Sequence, residues 1–107
     1  MSIIYGVDTE KVVTAEMARD AVIECFYDAH CAQTEMSEAS SPDTKNYCFD
    51  IVTKAFSETN GDINNPTKLS LLAILPWLAK FSASFRDQET IKRHFSEING
   101  LIGLIKD

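Results

Sequence analysis

The sequence predicts an all-α fold: an up-down four-helix bundle with a kinked central third helix and room for a short β segment at the N-terminus. Three observations carry the prediction. Apolar residues recur at three- and four-residue steps through most of the chain. Two segments open on a capping residue followed by proline, Ser41-Pro42 and Asn65-Pro66, the order expected at a helix start. The connections between periodic stretches are short, which favours antiparallel neighbours. A chain of 107 residues without a linker or repeat is read as one domain, residues 1–107.

The N-terminal segment SIIYGVDTEKVV is β-prone at Ile3, Ile4, Tyr5, Val12 and Val13, with Gly6 to Glu10 able to turn between the two runs. An early helix from Asp8 or Thr9 is the alternative. A lone hairpin is marginally stable, so the segment either packs on the helices or pairs with another copy.

The first helix is expected to start at Thr14 as N-cap, with Glu16 in its first turn. Ala18, Val22, Phe26 and Ala29 line one face. Glu16, Asp20, Glu24 and Asp28 form an acidic stripe on the opposite side, in which like charges four apart repel. The second helix opens at Ser41-Pro42, carries an amphipathic face from Tyr47, Cys48, Ile51, Val52, Ala55 and Phe56, and ends at Asn60-Gly61 with glycine as the left-handed cap. Phe49 falls off that face and is expected to be exposed or at an interface.

The stretch from Pro66 to Phe85 is apolar nearly all round, so it reads as a buried central helix capped by Asn65. Its strongest run is about half of the roughly 20 residues a membrane span needs. Pro76 removes one helical hydrogen bond and crowds the carbonyl of Leu72, which predicts a kink or two abutting helices. That bend suggests a pocket at Pro76 and Trp77. In the fourth helix Ile91, Phe95, Ile98, Ile102 and Ile105 form a narrow apolar seam of coiled-coil type. Gly100 and Gly103 weaken this helix and permit another backbone to approach.

Composition narrows function. Net charge is −6, with two basic against eight acidic residues in positions 1–40 and six basic against four acidic in positions 66–107. An acidic chain without a basic stripe is a poor nucleic-acid ligand. No membrane span and no signal peptide are read, and the chain is expected to be cytoplasmic. The three cysteines are an odd number with no Cys-x2-Cys pair, unlike a disulfide framework or zinc site. Cys31, beside His30, is the candidate for a reactive thiol. The loop Asn60 to Asn65 fails as a calcium loop, having Ile63 and Leu69 where glycine and a bidentate glutamate are needed.

Without a catalytic motif, enzymatic activity stays undecided and no cofactor is specified. The leading expectation is a small helical protein-interaction module that self-associates, as a homodimer through Ile98, Ile102 and Ile105 with Ile3 and Tyr5, with a different protein partner as the other form of this reading. The alternative is a metal-binding protein or metal-dependent enzyme using Glu24 and Asp28 of the acidic stripe with His94.

Overall fold

The computed structural model describes residues 3–34, 42–84 and 88–105. Two short strands, β1 (Ile3–Ile4) and β2 (Val7–Asp8), precede four helices: α1 (Ala15–Thr34), α2 (Pro42–Glu58), α3 (Lys68–Phe81) and α4 (Gln88–Gly103). Each helix packs on its chain neighbours, α1 and α4 close the ring, and α1 also touches α3 across it. The fold is the all-α bundle expected from the sequence, with one hydrophobic cluster that draws on all four helices.

The hairpin is tighter than expected. β1 and β2 pair antiparallel, Ile4 opposite Val7, around a two-residue turn at Tyr5 and Gly6. Both turn residues have positive φ, 49° and 83°, as a hairpin turn matched to strand twist requires. Tyrosine is costly at such a φ. Its hydroxyl hydrogen-bonds with Nδ1 of His94 on α4, which holds the turn against the bundle. Of the two valines expected to form the second strand, Val12 is exposed. Val13 is buried and bridges Ile105 in parallel.

Local chemistry sets the helix ends. Thr14 Oγ1 accepts from the Met17 N–H, the expected N-cap of α1, and α2 opens on Pro42. Its other end differs from expectation: Asn60, not Gly61, takes the left-handed conformation, at φ 63°. The Gly61 N–H donates to Phe56 O at 2.7 Å and the Asn60 N–H to Ser57 O at 3.3 Å, the paired bonds of a Schellman cap. Gly61 is small for another reason: a Cβ there would lie 3.1 Å from Phe56 Cδ1.

The cap of α3 is Thr67, two residues beyond the expected Asn65. Thr67 Oγ1 accepts from the Ser70 N–H, and Ser70 Oγ accepts from the Thr67 N–H. Asn65 is occupied elsewhere: its Nδ2 donates to Asp62 Oδ2, while the Asn64 N–H donates to Asp62 Oδ1. These bonds hold the Asp62 carboxyl below its usual range, the Asn65 side chain contributing most.

The third helix departs most from expectation. It runs unbroken through Pro76 and is not buried all round. Leu71, Ile74 and Leu78 face the core, whereas Leu69, Leu72, Ala73, Pro76 and Ala79 are exposed. Proline leaves the Leu72 carbonyl without its helical donor, and water is the natural substitute. The Leu72–Pro76 side therefore belongs outward.

The C-terminal seam lies inside. Ile98, Leu101 and Ile102 are fully buried and Ile105 nearly so. The Lys68 ammonium donates to Ile105 O at 3.3 Å and lies 3.5 Å from Gly103 O, so it caps the end of α4. Gly100 and Gly103 sit on the open side, with nothing within 4 Å of where a Cβ would stand. Among the described residues, no other backbone lies within 4 Å of those positions.

Candidate functional site

The acidic stripe and His94 are directed to different partners. Glu24 Oε1 pairs with Lys45 of α2 at 3.1 Å, and that ammonium also lies over the Tyr27 ring, 5.3 Å from its centroid. Arg19 pairs with Asp20 and donates to Ile63 O. His94 turns to Tyr5 of the hairpin. Glu97, one turn further along α4, lies close enough to raise the pKa of Cys25 together with Asp28. Among the described residues, no group of three His, Cys, Asp or Glu is placed to hold a metal ion, so Glu24, Asp28 and His94 do not form such a group.

The charges near Cys25 still matter for stability. Burial, then Asp28 and Glu97, push the Cys25 thiol up to about 12, so it stays protonated at neutral pH. Cys48 is also a buried free thiol, while the side chains of His30 and Cys31 lie outside the described residues. The Asp28 carboxyl is raised by partial desolvation and by Glu24, with Lys45 opposing. A raised acid pKa means that the folded chain holds this proton more tightly than the unfolded chain. Stability is then lost as pH rises from the ordinary carboxylate value through the raised one. Asp28→Asn is expected to stabilise the fold at pH 7 by up to about 0.5 kcal/mol, the scale of surface charge changes. At pH 3 the gain should vanish. Urea denaturation at both values checks this, and a loss at pH 7 would make the attraction to Lys45 the larger effect.

The residues expected at an interface are mostly inside. Ile98, Ile102 and Ile105 belong to the core of this same chain. A seam with a and d spacing serves an intramolecular neighbour as well as a second subunit, and here α1 is that neighbour. Tyr5 is half-buried against His94, with ring centroids 5.7 Å apart. The side chain of Ile3 lies outside the described residues.

Pro76 and Trp77 turn out to line different places. Trp77 stacks on Phe81, centroids 5.7 Å apart and planes 7° apart, and borders a shallow site with Glu58 and Lys80. Pro76 lies in a groove of about 470 Å³ between α3 and α4, whose apolar lining is Leu72, Leu75, Pro76, Ala79 and Phe95. Lys92, Ser96 and Asn99 supply the polar edge along α4. Leu69, 78 % exposed, continues the same stripe along α3.

Sequence reasoning singled out Pro76 but missed Leu69, Leu72, Ala79, Phe95 and Lys92 as a group. One signal was available: an interior proline marks the side of a helix whose backbone needs water. Comparison with family models, curated proteins and solved structures gives no match. The class that the fold defines is therefore an all-α, four-helix protein. No described helix is long and apolar enough to cross a membrane.

Proposed function

We propose that the protein is a small helical protein-interaction module and that it docks its partner in the groove between α3 and α4. The observation that supports this reading is the outward apolar stripe Leu69, Leu72, Pro76 and Ala79, set beside Phe95 in a surface groove. Single exposed apolar residues are ordinary, but a contiguous stripe along one helix is typical of helix-in-groove recognition. The edge along α4 is low in relief, because Ser96, Asn99, Gly100 and Gly103 are small and exposed.

The test compares the wild-type chain with a Leu69→Glu/Leu72→Glu double variant. Both positions are exposed, so the variant should keep its circular dichroism spectrum and cooperative unfolding. Proteins retained by the wild type and lost with the variant are then purified and titrated individually. A purified partner that binds the wild type at least 10-fold more tightly than the folded variant supports the module. If purified binders bind both forms equally, the groove is not the docking surface.

A further inference from the structure

The charges around the groove say what kind of partner fits it. From Leu69 to Ala79 the stripe covers ten helical rises, about 15 Å, which matches a ligand helix of about three turns. At one end Lys68 reaches the final carbonyls of α4. At the other end Ala79 and Lys92 line the groove, and Lys80 is exposed beside Ala79. Among the described residues, no carboxylate lines it. Among the described residues, neither Lys80 nor Lys92 has an ion-pair partner.

A second copy is a poor occupant. The helix that would supply its apolar stripe, α3, carries Lys68 and Lys80 and no acidic residue. Antiparallel packing of α3 on its copy sets Lys68 against Lys80, and parallel packing sets each lysine against itself. Both arrangements bring like charges together at the ends of an apolar contact.

From this we infer, building on the module reading above, that the groove takes an acidic amphipathic helix of another protein. That helix would place apolar side chains at i, i+3 or i+4, and i+7 along Leu72, Pro76 and Phe95. An aspartate or glutamate beyond the apolar seam would meet Lys92, with Lys80 alongside. The apolar contacts give affinity, and the charges set partner choice and association rate.

The experiment is a selection of displayed 14-residue peptides on the purified full chain, with counter-selection on the folded Leu72→Glu variant. Enriched sequences are synthesised and titrated by fluorescence anisotropy. The expected winners are amphipathic and acidic. They should lose at least 10-fold in affinity with Leu72→Glu or Leu69→Glu and about 3- to 10-fold with Lys92→Glu, and weaken with added salt.

Basic or uncharged winners that depend on Leu72 but ignore Lys92→Glu would overturn the acidic-helix inference and leave the groove as a docking site. The absence of any Leu72-dependent winner would remove both. Sedimentation of the chain alone adds a separate check: a wild-type dimer split by Leu72→Glu gives the groove to a second copy and overturns the inference. Leu72-dependent binding to vesicles of anionic phospholipid would overturn it in favour of a membrane surface.

Discussion

Ile102→Asp is expected to unfold the protein. The Ile102 side chain is fully buried in α4, among Ile98 and Leu101, on the helix that packs against α1. Aspartate there removes apolar volume and places a carboxyl group in an apolar setting. Large-to-small changes at such sites cost about 2–5 kcal/mol, and a buried unpaired charge adds several more. A domain of this size has only about 5–15 kcal/mol to lose. Circular dichroism and size-exclusion chromatography should therefore report an expanded, mostly unfolded chain at neutral pH. The contrary result, a folded monomer derived from a wild-type dimer, would move the Ile98–Ile102–Ile105 seam from the core to an intermolecular face.

That substitution also marks how far the sequence could be read. Helix starts were legible where one side chain decides them, as at Thr14 and Pro42. They were misread where two candidates compete, because Asn65 was drawn into the Asp62 turn and Thr67 took the cap. The isoleucine seam of α4 was legible as apolar, but its spacing does not say which chain supplies the neighbour. His94 and the acids of α1 looked like one set because helical spacing fixes angles within a helix only. The hairpin turn at Tyr5 decided the partner of His94, and Lys45 on another helix decided that of Glu24. The groove was least legible of all. A stretch apolar on every side carries little phase beyond the mark left by Pro76, and packing against α1, α2 and α4 settles which face of α3 is inside.

The adjacent leucines of α3 turn that last point into a measurement. Leu71 is fully buried, while Leu72 is 38 % exposed and borders the groove. The two substitutions remove the same atoms from neighbouring positions of one helix, so helix propensity and unfolded-state effects nearly cancel between them. Leu71→Ala empties a packed site and should cost about 2–5 kcal/mol. Leu72→Ala leaves no internal cavity and gives up only partly buried surface, so it should stay within about 0.5–1 kcal/mol of the wild type. Denaturant titrations of the two variants beside the wild type read the difference directly, since the slopes should agree if all three unfold between the same states. A large loss at Leu72 would mean that this side chain is covered in solution. If the loss also depends on protein concentration, a second copy is what covers it. Equal small losses at both positions would remove the inward face of α3, and with it the reason why Leu69, Leu72, Pro76 and Ala79 point outward. The expected split ties the fold to the proposed docking site, because the same helix phase that buries Leu71, Ile74 and Leu78 leaves Leu69, Leu72, Pro76 and Ala79 outward.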